Sequence, residues 1–296
     1  MTLNIAADGS YTSTQVDSNG KTGTSRGKFS ITSVGNITDL RDEPTLLCNM
    51  DAGKTVFACT DTPKSGITEL GVFTKQNQNT SYALTDLEGT WNGNFVTAGA
   101  GTNWWTRMAI NIDSNGSVTG GTSVDSAGNT GTPSGNFSIT PDGILTWSAE
   151  PNMLCSMDAG KTIIACTDSP DSDSVDMAVF TNTGPSYTAA DLAGTWSVKS
   201  MATGPSAPDW LRITLTVKPD GTFSYRETYY DGTTNKKNTK TGSGTLQITS
   251  DGLTINVGKD ANILCKMDAN ETVMSCTETW DNDGSTELVV LTRNLK

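Results

Sequence analysis

Leu46–Thr62 reads LLCNMDAGKTVFACTDT, Met153–Ser169 reads MLCSMDAGKTIIACTDS, and Ile263–Thr279 reads ILCKMDANETVMSCTET. In each copy two cysteines enclose ten residues centred on DAGK, DAGK or DANE. Gly53 and Gly160 give way to Asn270 in the third copy. Asn tolerates the left-handed backbone best after Gly, so the centre is read as a hairpin turn with its left-handed residue there. Cys48 and Met50 share one face of the entering strand, Phe57 and Cys59 one face of the leaving strand. If Met50 opposes Phe57, Cys48 opposes Cys59. The same register sets Met157 against Ile164 and Met267 against Met274, which keeps the apolar face continuous in all three copies.

Directly opposed residues of an antiparallel pair bring their Cβ atoms within reach of a disulfide. The phrase therefore predicts the bridges Cys48–Cys59, Cys155–Cys166 and Cys265–Cys276, each worth about 3 kcal/mol in the chain-entropy view. The alternatives are free buried thiols or a metal or redox site. Two thiols without a nearby third or fourth ligand make a poor zinc site, and no CxxC pair is present. Three bridges imply an oxidising compartment: outside the cell, at its surface, or in a periplasm.

A second repeat sets the boundaries. YALTDLEGTW (Tyr82–Trp91) matches YTAADLAGTW (Tyr187–Trp196) at a period of 105. Three units follow: residues 1–83, 84–188 and 189–296. Met1 aligns with Met108, so the first unit shows no GTW segment. Two explanations compete: a piece of a longer repeat protein, which is the favoured expectation, or a first unit that receives its opening strand from a neighbour, with self-association by strand addition. Short polar linkers such as KQNQNTS and TNTGPS should hold the units close together like beads.

Within the units, every second residue is apolar at Met108, Ile110, Ile112 and again at Ile213, Leu215, Val217, the mark of half-buried strands. DSNG, PDG, SDG and DAG turns recur between such stretches. Residues 84–188 are read as eight strands: GTWNGNFV, WTRMAINID, SVTGGTSVD, SGNFSITP, ILTWSA, MLCSMD, TIIACTD and DMAVFTN. The expected fold is all-β: three tandem antiparallel up-and-down barrels of about eight strands, the first lacking its opening strand, with β-sandwiches as the alternative.

Composition narrows function. The 296 residues include no histidine, which removes Ser-His-Asp and Cys-His catalysis and the usual zinc and haem sites. Net charge is −12, and residues 84–188 hold 11 acidic against 2 basic groups, a balance unsuited to nucleic acid. No apolar run is long enough for a membrane-spanning helix. MTLNIAADGS has neither the basic start nor the apolar segment of a secretory signal. Asp168–Asp176 and the DNDG stretch at 281–284 lack EF-hand spacing, so no metal or other cofactor is expected.

LEGTW (Leu87–Trp91) and LAGTW (Leu192–Trp196) resemble the GxW opening of the calycins: lipocalins, fatty-acid-binding proteins and, more loosely, avidins. The resemblance implies barrels whose opening Trp, here Trp91 and Trp196, plugs one end under a basic residue of the last strand. Arg293 fits that role, and Asn182 departs from it. The repeats also look like tandem modules of large secreted bacterial proteins. Trp104, Trp105 and Arg107, matched by Trp210 and Arg212, follow Gly/Ala-rich loops, and Tyr229 stands among the tyrosines and lysines of the third unit. These six are the candidate ligand-binding residues, because aromatics at a loop-to-strand junction can stack on a sugar or shield a cavity mouth. The expected protein is non-enzymatic, secreted or surface-exposed, with a structural, adhesive or assembly role toward other protein chains or cell-surface components. The alternative is a barrel holding a small apolar or glycan ligand. A filled interior favours the first and an open one the second.

Overall fold

A computed structural model describes the chain except residues 18–19, 40–44, 63–68, 77–80, 100–101, 170–173, 205–208, 232–235, 258–261, 280–283 and 296. The first unit is a seven-stranded sheet: β1 (Thr2–Ile5), β2 (Ser10–Val16), β3 (Thr22–Ile31), β4 (Asn36–Asp39), β5 (Leu47–Met50), β6 (Val56–Asp61) and β7 (Glu69–Thr74). The second runs β8 (Gly89–Gly99), β9 (Thr102–Ile112), β10 (Val118–Asp125), β11 (Thr130–Gly131), β12 (Phe137–Ile139), β13 (Ile144–Trp147), β14 (Glu150–Met157), β15 (Ile163–Asp168) and β16 (Ser174–Asn182). The third runs β17 (Gly194–Thr203), β18 (Asp209–Val217), β19 (Thr222–Asp231), β20 (Lys236–Ile248), β21 (Leu253–Val257), β22 (Leu264–Met267), β23 (Val273–Thr279) and β24 (Thr286–Arg293). All pairings are antiparallel, as expected; β17 pairs with both β18 and β24 and closes a barrel of eight strands. Among the described residues the first unit has no strand in that place, and β1 and β7 are edges of a curled sheet.

The middle unit departs from the eight strands expected of it. Its sheet has nine strands, with β8 between β9 and β16, and among the described residues the ends are joined only by the isolated bridge Ser117–Asn136. The cause is local. β20 is one unbroken strand of 13 residues, whereas its counterpart is split into β11 and β12. Pro133 stands four residues after Asn129 where Gly242 stands four after Asn238. Proline donates no backbone N–H and cannot continue the ladder.

The three cysteine phrases form the expected hairpins, with Cys48 opposite Cys59, Cys155 opposite Cys166 and Cys265 opposite Cys276, each pair a disulfide. The left-handed residue of the turn, however, is not Gly53, Gly160 or Asn270. It is the next one: Lys54 (φ 60°), Lys161 (φ 58°) and Glu271 (φ 58°). The buried aspartate that opens each turn organises it. Asp51 accepts the N–H groups of Gly53, Thr55 and Val56, and Asp158 and Asp268 repeat the pattern. A Cβ on Gly53 would lie 2.7 Å from Asp51 Oδ2, so glycine is there for close approach. Asn270 is accommodated because its N–H bond to Asp268 is longer, 3.2 Å against 2.9 Å in the other two turns.

The units are not separate beads. Val56, Ile163 and Val273 occupy one position of the cysteine phrase, and Val72, Val179 and Val290 one position of each unit's last strand. With Ala58 they form a single apolar cluster between the three units. Each Val or Ile so buried contributes about 1.5–3 kcal/mol. Beside this cluster the turns interlock: Thr162 Oγ1 of the second unit donates to Asp268 of the third (2.9 Å), and Ala159 N of the second donates to Lys75 O of the first (2.8 Å).

Candidate functional site

The interiors of the second and third units start from the same strand plan and end differently. Phe95 lies four residues after Trp91, and Ser200 four after Trp196. Leu145 and Trp147 lie two and four residues after Gly143; Thr254 and Asn256 lie at the same offsets after Gly252. Phe95, Leu145 and Trp147 are buried in the middle unit's core with Phe137, Met153, Met157 and Phe180. Their three smaller, polar counterparts leave the closed third barrel with a cavity of about 650 Å³.

Leu211, Ile213, Leu215, Phe223, Tyr225, Leu246, Met274, Val289 and Leu291 form its apolar wall. Polar groups gather at mid-depth and at the end away from Trp196. Among the described residues Ser200 Oγ and Thr254 Oγ1 are buried without a hydrogen-bond partner. Glu287 is 1% exposed, and the buried carboxylate of Glu227 meets the exposed Lys240 at 3.1 Å. An apolar chamber with a few convergent polar groups is the usual form of a small-molecule site. Uncompensated hydroxyls in such a place cost about 1–3 kcal/mol each, a cost that a bound polar atom would relieve.

The opposite end is plugged. Trp196 is fully buried, its indole N–H donates 2.9 Å to Leu192 O in the short helical turn Ala189–Leu192, and the Arg293 guanidinium lies 4.7 Å from the ring centre. Burial pushes the Arg293 pKa down, with Glu271, Asp268 and Asp191 opposing. Trp91 is equally buried and donates to Leu87 O at 2.8 Å.

The six residues named for ligand contact separate. Tyr229 lines the third barrel's cavity. Trp104 is 43% exposed. Trp105, Arg107, Trp210 and Arg212 lie in joints between units. Trp105 Nε1 donates to Thr279 Oγ1 (2.7 Å), and Arg107 to Thr277 Oγ1 (2.8 Å), Thr277 O (2.5 Å) and Asn262 O (3.1 Å) of the third unit. Trp210 Nε1 donates to Thr62 Oγ1 (2.6 Å), and Arg212 to Thr60 Oγ1, Thr60 O and Thr45 O (2.7 Å each) of the first. In both, the guanidinium carbon sits 3.9 Å over the neighbouring indole. Burial lowers both arginine pKa values to about 10, which leaves them charged at neutral pH.

The same joints hold Asn94, whose Nδ2 donates to Ser275 O (2.9 Å), and Lys199 at the matching position, whose Nζ donates to Asn49 Oδ1 of the first unit. Burial, and secondarily Arg212, push the Lys199 pKa down to about 7. Residues 170–173 and 281–283, where acidic loops raised the question of calcium, lie outside the described residues. Among the described residues no group of three or more possible metal ligands comes together.

No protein-family model and no curated protein matches the chain. Solved structures with some likeness include a protein with unknown function from Nostoc punctiforme, at 11% identity and a TM-score of 0.26 over 72% of this chain and 99% of that one. Transferrin binding protein B of Neisseria meningitidis is similar at 11% identity and a TM-score of 0.32 over 98% of this chain. Its counterpart from Haemophilus parasuis is similar at 10% and 0.25 over 99%. The chain spans 64% and 65% of the length of those two proteins. Likenesses of this size leave function to the chain's own residues.

Proposed function

We propose that the protein is a non-enzymatic binding protein of an oxidising compartment, the cell surface or the extracellular space, whose third barrel holds a small amphipathic molecule on a rigid support made by the other two units. The cavity of about 650 Å³ carries this reading. It exists because Phe, Leu and Trp of the middle core are Ser200, Thr254 and Asn256 here. The three disulfides support the compartment. A calycin-like character is supported by Trp196 under Arg293 at the plugged end. The walls suit an apolar body better than a glycan, and the buried hydroxyls with Glu227 and Glu287 suit a hydroxyl or amine head.

A structural role remains part of the reading, because the middle interior is filled and the Trp-x-Arg joints weld neighbouring units. The test is a titration with the neutral fluorophore N-phenyl-1-naphthylamine, against the double variant Ser200→Phe, Thr254→Leu, which installs the middle unit's own residues. Binding by the native chain, weakened at least about tenfold in the variant while the three disulfides stay formed, supports the proposal. Absent binding, or binding indifferent to the filling, contradicts it.

A further inference from the structure

The two Trp-x-Arg joints follow a rule. The second unit seats Trp105 and Arg107 on Thr279 and Thr277 of the third, and the third seats Trp210 and Arg212 on Thr62 and Thr60 of the first. Each seat is the segment just after the second cysteine. One seat of that kind is left, Thr167 and Ser169 of the second unit, and the cyclic order of the other two joints pairs it with the first unit. Burial separates the seats. Thr60 and Ala58 are 0% exposed, as are Thr277 and Ser275, whereas Ala165 is half-buried and Thr167 exposed.

The open place in the first sheet borders the second unit, which carries that seat. In the second and third units the GTW strand bridges the last strand and the next. In the first, β1 and β7 are both edges, and the opening between them is a groove of about 1510 Å³. Leu3, Phe57 and Phe73 of the first unit line it, and so do Ile144 and Ser156 of the second. The groove leads toward the vacant seat: Ser156, which lines it, pairs with Ala165 on β15, two residues before Thr167. Unpaired edges of this kind are templates for an added strand.

We propose that this groove is a strand-acceptor site for a segment of the chain's own repeat type: a GTW strand that pairs with β7 and β1 in parallel with the role of β8 and β17, leading into a Trp-x-Arg end that seats on Ser169 and Thr167. Its Trp plugs the first barrel, as Trp91 and Trp196 plug theirs. The occupant makes the assembly a three-membered ring with three equivalent joints. This inference is independent of the ligand reading for the third barrel.

A synthetic peptide with the sequence of residues 84–107 stops where Met1 aligns and is the probe. Hydrogen exchange on the full chain should show β1, β7 and residues 163–169 slowed about tenfold when it binds one to one. A peptide carrying Trp105→Ala and Arg107→Ala should protect β1 and β7 but not residues 163–169. To remove the limit of weak association, the same sequence is fused ahead of Met1, where it should give the same protection. Unchanged exchange at β1 and β7 in the fusion overturns the proposal. So does a dimer formed by the native chain through these edges that the peptide does not dissociate, since the occupant is then a second copy.

Discussion

The middle and third units share disulfide, plugging Trp and joint chemistry, yet one is a filled nine-stranded sheet with an unlaced seam and the other a closed, hollow barrel. The difference shows that closure and filling are separable means of holding a small barrel. Where Phe95, Leu145 and Trp147 fill the interior, a single bridge at Ser117–Asn136 suffices. Where Ser200, Thr254 and Asn256 leave space, the unbroken ladder of β19 and β20 carries the load. Both units are stapled by a disulfide, and the hollow one is the one whose ladder is closed.

The strongest way to break the contrast is to remove what each barrel relies on. Trp147→Ala should cost about 3–5 kcal/mol, because Trp147 is buried and stacked on Phe137 at 5.2 Å, whereas Asn256→Ala should cost under about 1 kcal/mol. Urea midpoints of the two variants measure this. Gly242→Pro should cost about 3 kcal/mol, since it cuts the ladder opposite Tyr225 and any Cβ there would lie 2.5 Å from that ring. Loss of exchange protection confined to β19 and β20 would identify the seam. Pro133→Gly, which restores the missing N–H, should let the β11–β12 stretch approach an unbroken strand while the urea midpoint changes little, because the filled interior already holds the unit.

Asn94 and Lys199 sharpen the comparison through pH. The Lys199 pKa is about 7 in the folded chain and in the ordinary lysine range when unfolded, so the unfolded state binds more protons between those values. Stability therefore rises with pH from about 7 toward 10, by up to about 1.4 kcal/mol per pH unit where the states differ by a whole proton. Lys199→Asn, which copies the middle barrel, should flatten the rise in urea midpoint between pH 7 and 9. The smallest effect is expected at Trp104, where replacement by Ala should change stability by under about 0.5 kcal/mol because the ring is 43% exposed.

Much of this was legible in the chain. Parity around the DAGK turn placed both cysteines on one face, and alternation at Met108, Ile110, Ile112 located strands. Alternation says which face is apolar, but not whether the other face meets water or another barrel, so Trp105, Arg107, Trp210 and Arg212 read as a cavity mouth. A signal was present: in β6, VFACTD, both faces are buried, and a strand with Val and Ala on its outer face has a second partner. The left-handed residue was misplaced because the glycine serves close approach to Asp51, a contact that propensity does not reveal. The hollow third interior was written in the aligned repeats, at Ser200, Thr254 and Asn256, but an alternating pattern counts apolar positions and not the volume they fill.

The most direct test of the hollow third barrel beside the filled second is a crystal structure under xenon pressure, because xenon enters apolar cavities and leaves packed cores empty. Xenon among Leu215, Phe223, Met274 and Val289, with none inside the middle unit, is the predicted result. A third interior closed by its own side chains, or xenon in the middle barrel instead, would contradict the account.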